Sequence, residues 1–158
     1  MRTSILLTGL VLSFSCAAQA GLWKSDVVPG QLRCEYRENP FGIDVEKPRL
    51  SWVIEDRSQK TEDRGEKQTA YQILVASSED LLKEEKGDLW DSGKVASDQS
   101  IQVEYAGKPL VSRQQCYWKV RVWTRSALNP DTLNPSASAW SQPASWSMGL
   151  LKPADWQA

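Results

Sequence analysis

The chain contains no histidine at all. That removes the usual proton shuttle at neutral pH, the commonest metal ligand, and every nucleophilic arrangement built on an imidazole base. Phenylalanine and methionine are scarce, two of each, so a packed interior must draw on other large side chains. The formal net charge is −1, which leaves no electrostatic footprint for nucleic acid. Neither the apolar run at residues 5–14 nor any later stretch is long enough to cross a bilayer as a helix. Helical periodicity is nearly missing too. What the chain has in excess is tryptophan, eight residues in 158, a length that suits one domain with short extra segments at its ends.

The first 20 residues read as a targeting segment. Arg2 gives a short positive start, residues 5–14 are apolar, and Ala18-Gln19-Ala20 is a small-x-small site ahead of Gly21. Residues 1–20 are therefore expected to be a signal peptide cut between Ala20 and Gly21, with the protein exported to the periplasm or beyond the cell. Lipoprotein anchoring through Cys16 is disfavoured, because Ser13-Phe14-Ser15 lacks the leucine and small residue of such a site. Cleavage leaves Cys34 and Cys116. An oxidising compartment permits a disulfide between them. Two buried thiols are the alternative, and spacing does not choose, because a bridge needs Cα atoms within about 7 Å.

The period along the mature chain is two. Trp118, Val120 and Val122 fall on one face, with Lys119 and Arg121 on the other, the pattern of a half-buried strand. Leu32, Cys34 and Tyr36 alternate in the same way, as do Leu50, Trp52 and Ile54, then Tyr71, Ile73 and Val75, then Ile101, Val103 and Tyr105. A short strand is expected at residues 88–91 and a last one at 144–148. Asn39-Pro40-Phe41-Gly42, Asp91-Ser92-Gly93 and Ala106-Gly107-Lys108-Pro109 separate these runs as turns, since they preset φ or permit positive φ. About seven short strands punctuated this way predict an all-β antiparallel sandwich. One helical turn or two is expected at residues 78–86, with Ser78 as cap, acids first and lysines last.

Two polar loops interrupt the pattern. Residues 56–67 are almost wholly charged and polar, and residues 126–139 carry the near-repeat Leu128-Asn129-Pro130 and Leu133-Asn134-Pro135, an insertion by its length. Asp91-Ser92-Gly93 is a turn and not a nucleophile, because no base is available to activate the serine. The carboxylate clusters Glu84-Glu85 and Asp56-Glu62-Asp63 read as solvated, and lack the spacing of a calcium loop. Trp52 and Trp118 are expected in the core, where each buries about 150–250 Å². At about 25 cal/mol per Å², that is at most about 4–6 kcal/mol per ring. Trp123, Trp140 and Trp146 are left open between core and surface, and Trp23 and Trp156 lie outside the sheets.

Tyr117-Trp118-Lys119-Val120-Arg121-Val122 and Trp140-Ser141-Gln142-Pro143-Ala144-Ser145-Trp146 resemble the last two strands of fibronectin type III domains. A longer pattern is more specific. It runs Leu32-Arg33-Cys34-Glu35-Tyr36, Asn39-Pro40-Phe41-Gly42-Ile43-Asp44, Pro48-Arg49-Leu50-Ser51-Trp52, Gln68-Thr69-Ala70-Tyr71-Gln72-Ile73-Leu74-Val75 and Leu89-Trp90-Asp91-Ser92-Gly93-Lys94-Val95. It ends with Trp146-Ser147-Met148-Gly149-Leu150-Leu151 and Asp155-Trp156-Gln157-Ala158. In this order the segments resemble the N-terminal domain of the bacterial α-L-rhamnosidases of glycoside hydrolase family 78, from about residue 28 to the end. The loop at 126–139 is the main departure.

The resemblance implies a fibronectin type III or immunoglobulin-like sandwich over residues 21–149 and the start of a linker at 150–158. It implies an inverting glycosidase as parent, whose acid and base carboxylates sit in a downstream helical barrel that this chain lacks. The expected function is therefore a non-catalytic accessory domain, with no catalytic residue, cofactor or metal. Its expected partners are downstream domains of the same enzyme, met through Leu150, Leu151 and Trp156. The alternative is a stand-alone secreted module that binds carbohydrate or another protein.

Overall fold

The computed structural model describes residues 27–57, 65–125 and 135–156. The expected signal segment with Cys16 and its expected Ala20–Gly21 cleavage site, Trp23, and most of both polar loops lie outside these residues.

Among the described residues, eight strands form two antiparallel sheets. They are β1 (Val27–Cys34), β2 (Arg49–Asp56), β3 (Lys67–Ala76), β4 (Trp90–Asp91), β5 (Val103–Glu104), β6 (Gln115–Arg125), β7 (Ser136–Ala137) and β8 (Ala144–Ser147). One sheet has the order β1-β2-β5; the other runs β4-β3-β6-β7, with β8 also paired to β6. The α-helix among the described residues, α1 (Glu79–Lys83), starts at Ser78, whose hydroxyl accepts from Leu81 N. The expected all-β sandwich, immunoglobulin and fibronectin type III-like, is the observed fold.

The period-two pattern places the core. Leu50, Trp52, Tyr71, Ile73, Val75, Trp118, Val120 and Val122 all face the space between the sheets. Trp52 is 2% exposed, and Trp118 and Trp146 are fully buried, so three indoles fill the volume that phenylalanine would otherwise take. Trp52 Nε1 donates to Gln68 Oε1 at 3.0 Å, and Gln68 Nε2 donates to the Ser97 and Gln99 carbonyls. A buried polar pair thereby leaves none of its inward groups unmatched.

Two expected inward residues turn out exposed. Tyr36 is 59% exposed because β1 ends at Cys34, and Glu35 and Tyr36 adopt φ of 47° and 68°, which breaks the alternation. Ile101 is 64% exposed because β5 begins only at Val103, after Gln102 with φ of 56°. Conversely, Leu74 lies on the outer face yet is buried, since α1 lays Leu82 over it and Ala76. The loop expected at residues 126–139 contains β7, paired to Trp123 and Thr124.

The approach to the last strand explains its serines and proline. Ser138 and Ser141 donate their N–H groups to the Val122 and Val120 carbonyls. Their hydroxyls accept the Val122 and Val120 N–H groups in return. Side-chain oxygens thus stand in for main-chain carbonyls where the chain leaves strict ladder geometry. Pro143, with no N–H, sits just before β8 begins.

Candidate interdomain surface

One end of the sandwich gathers the close of β1, the start of β2, the close of β5, the start of β6 and the close of β8. This follows from the register: Cys34 pairs with Leu50, Leu50 with Val103, and Gln115 with Ser147. Val27, paired with Asp56, is at the other end. The described chain therefore enters at one end and leaves at the opposite one.

The exit segment is bound to two neighbouring loops. Residue 43 forms a parallel bridge with Met148, and Gly149 N donates to the Ile43 carbonyl at 2.7 Å. A side chain at Gly149 would meet the Gly42 carbonyl oxygen at 3.1 Å, so glycine allows the approach. Gly42 itself has φ of +72°, open to glycine at little cost. On the other side, Met148 N donates to the Gln114 carbonyl and Arg113 N to the Gly149 carbonyl. Leu151 N donates to Ser112 Oγ at 2.8 Å, and the Ser112 hydroxyl donates to Asp155 Oδ2. That hydrogen bond holds the Asp155 carboxyl below its ordinary pKa. Asp155 also accepts from Lys152 N, closing the short 3-10 turn Pro153–Asp155.

On this tied framework sit exposed apolar side chains. Phe41 is 83% exposed, Trp156 72%, Val111 62% and Val45, on the loop between β1 and β2, 43%. A depression of about 250 Å³ lies among Glu46, Leu110, Val111, Ser112, Leu151 and Asp155. Of the three residues expected here, Trp156 is the exposed one. Leu151 is half-buried and packs on the main core, and Leu150 is half-buried. Phe41, Val45 and Val111 were not legible beforehand, because turn residues carry no periodicity.

Cys34 and Cys116 are buried free thiols on opposite sheets. Burial pushes both up to about 12, so neither is a thiolate at neutral pH. Ser92 spends its hydroxyl on the turn, accepting from Ile73 N and donating to the Gly93 carbonyl. Among the described residues no group of three or more Cys, Asp or Glu side chains could hold a metal ion. Nor is any helix there long and apolar enough to cross a membrane.

Residues 29–152 match a family described as Rha78A-like, N-terminal immunoglobulin domain. An α-L-rhamnosidase of Formosa agariphila is 38% identical over 151 residues, covering 96% of this chain and 14% of that protein. One of Streptomyces avermitilis is 42% identical over 124 residues, covering 78% of this chain and 11% of that protein. The crystal structure of S. avermitilis α-L-rhamnosidase complexed with L-rhamnose superposes with a TM-score of 0.69 at 40% identity, over 84% of this chain and 11% of that one. The Dictyoglumus thermophilum α-L-rhamnosidase structure gives 0.70 at 34% identity, over 85% and 14%. The chain spans about one seventh or less of these relatives. With the family matched over most of its length and the same sandwich shared with solved relatives, this chain belongs to the Rha78A-like N-terminal immunoglobulin-domain family.

Proposed function

We propose that this chain serves as the non-catalytic N-terminal accessory domain of an exported α-L-rhamnosidase. In this reading, hydrolysis of terminal α-L-rhamnose belongs to the remainder of the enzyme. The sandwich holds that remainder through its exit end. The observation that carries the reading is the apolar surface of Phe41, Val45, Val111 and Trp156, held on loops braced by main-chain hydrogen bonds to the exit segment. Exposed apolar patches on a rigid frame mark docking sites. Export rests on the signal segment at residues 1–20 with cleavage at Gly21, which N-terminal sequencing of the secreted protein would check.

The test is a chimera in which residues 21–158 replace the N-terminal domain of the S. avermitilis α-L-rhamnosidase. The expected result is an active enzyme whose junction resists limited proteolysis. Introducing Trp156→Asp and Val111→Asp should expose the junction to protease while the isolated sandwich keeps its stability. A chimera equally resistant with and without the two changes would overturn this surface as the docking site. Binding of neutral oligosaccharides by the isolated chain at millimolar concentration would favour a carbohydrate-binding module instead.

A further inference from the structure

The turn after β1 is built from unusual residues for its shape. Cys34 N donates to the Arg37 carbonyl at 2.9 Å, and Arg37 N donates to the Cys34 carbonyl at 3.0 Å. Glu35 and Tyr36 are therefore the two central residues of a tight hairpin turn, and both have positive φ, 47° and 68°. Such turns favour Asn-Gly, because a bulky side chain is strained in the left-handed region. Strained residues of this kind persist where the surroundings hold them, and they cluster at binding sites.

Glu35 has a use inside the domain, since Arg49 Nε and Nη2 donate to its carboxylate. Tyr36 has none as core, being 59% exposed, yet its ring is held from two sides. The Arg49 guanidinium carbon lies 5.5 Å from the ring centroid, and Gln102 Nε2 donates to the Tyr36 hydroxyl. Gln102 is itself left-handed, with φ of 56°, and its N donates to Ser51 Oγ. Two strained residues from distant segments thus meet to fix one exposed ring. The charges beside it are already matched. Arg49 pairs with Glu35 at 2.8 Å, Lys47 with Glu104 at 3.7 Å and Arg33 with Glu38 at 4.0 Å. A fixed aromatic bordered by neutralised charges has the make-up of an interface anchor inside a polar rim, and suits an uncharged occupant better than an ionic one.

We propose that Tyr36 is a docking anchor whose ring receives an apolar side chain from the domain that follows the sandwich in the parent enzyme. The proposal rests on the accessory-domain reading, and it extends the exit-end surface round to the outer face of the three-stranded sheet. Tyr36 lies on the loop between β1 and β2 that also carries Phe41 and Val45, and its support Arg49 opens β2 at that end. Ile101, 64% exposed, adjoins Gln102, and its neighbour Ser100 accepts from Trp52 N, which keeps this stretch along β2. A guanidinium already on the ring repels a second cation, so the fitting groups are aliphatic or proline C–H.

The experiment compares nitration of Tyr36 by tetranitromethane in the isolated chain and in the chimera with the S. avermitilis α-L-rhamnosidase. Of the four tyrosines, Tyr71 and Tyr105 are buried and Tyr117 is half-buried, so peptide mapping separates Tyr36 and keeps Tyr117 as the internal reference. In the chimera, nitration of Tyr36 should slow by roughly tenfold. Tyr36→Ala should speed protease cleavage of the chimera junction by roughly tenfold, the loss of one interface anchor. Tyr36→Phe keeps the ring and should stay within about twofold of the unchanged chimera. The isolated Tyr36→Ala chain should melt as a surface variant does, which separates lost docking from lost folding. A protease-resistant junction with Tyr36 nitrated equally fast in both proteins would overturn the anchor and leave the accessory-domain reading standing, whereas an open junction would sink both. Protection of Tyr36 in the isolated chain by a neutral oligosaccharide would assign the ring to carbohydrate and overturn the proposal as well.

Discussion

Glu35 shows how much one side chain decides in this protein. It sits where β1 ends, with φ of 47°, and its carboxylate receives three donors from one residue. Arg49 Nε and Nη2 reach it at 3.1 and 2.8 Å, and Arg49 N at 2.7 Å. The pair fastens the loop after β1 onto the first residue of β2, and so helps set the braced end of the sandwich. The Arg49 side chain, by its hydrogen bonds, holds Glu35 below the ordinary carboxylate pKa. A depressed folded pKa contributes stability that is present above the unfolded value, about 4.3. That stability is lost as pH falls through the lower folded value. Glu35→Gln is expected to cost about 1–2 kcal/mol at neutral pH. The gap to wild type in denaturant titrations should close in acid below the ordinary carboxylate range. A gap of constant size across that range would show that the carboxylate charge is not the source. Nothing in the strand pattern signals this role, because a period of two reports which side of a sheet a residue takes and not where the strand stops.

At the scale of elements, α1 has too few residues to be stable alone, five, and far fewer than an isolated helix needs. It persists because Ser78 caps it and Leu82, 2% exposed, seals Leu74 and Ala76 on the outer face. Leu82→Ala is expected to destabilise by about 2–4 kcal/mol, measured by guanidinium unfolding. A loss under about 0.5 kcal/mol, the range of a surface change, would mean that the helix is only decoration. The cap and the acid-first, lysine-last order were readable locally, and so the helix was placed correctly at residues 78–86, frayed to Glu79–Lys83. β7 was not readable. Ser136 and Ala137 have no strand pattern, and they pair because β6 is long enough to run alongside them at Trp123 and Thr124. The same edge explains Ser138 and Ser141, whose hydroxyls complete the ladder. The burial of Leu74 has a similar origin: its position reads as outward, and only the helix packed over it makes it core.

At the scale of the whole molecule, the two apolar clusters share β3 and β6. The main core takes Tyr71, Ile73, Val75, Trp118, Val120 and Val122, and the smaller one takes Leu74, Ala76 and Tyr117 from the same strands. Neither cluster can lose its order without the other. A single unfolding transition is therefore expected, with tryptophan fluorescence and far-UV circular dichroism superimposed; separate midpoints would mean that the outer cluster melts alone. Entry and exit at opposite ends suit a domain placed in series with others, and Phe41, Val45, Val111 and Trp156 are exposed on the exit segment and the loops beside it. By itself, the sequence determined the sandwich class, the inner faces of the strands, the buried positions of Trp52 and Trp118, and the family resemblance. These follow from alternation and local turn chemistry, which act between neighbours in the chain. Only the tertiary structure decided the exposure of Tyr36 and Ile101, the half-burial of Leu151, and the gathering of Phe41, Val45, Val111 and Trp156 on loops tied to one end. Each of these depends on which segments meet across long sequence separations, and a pattern of period two carries no record of those meetings.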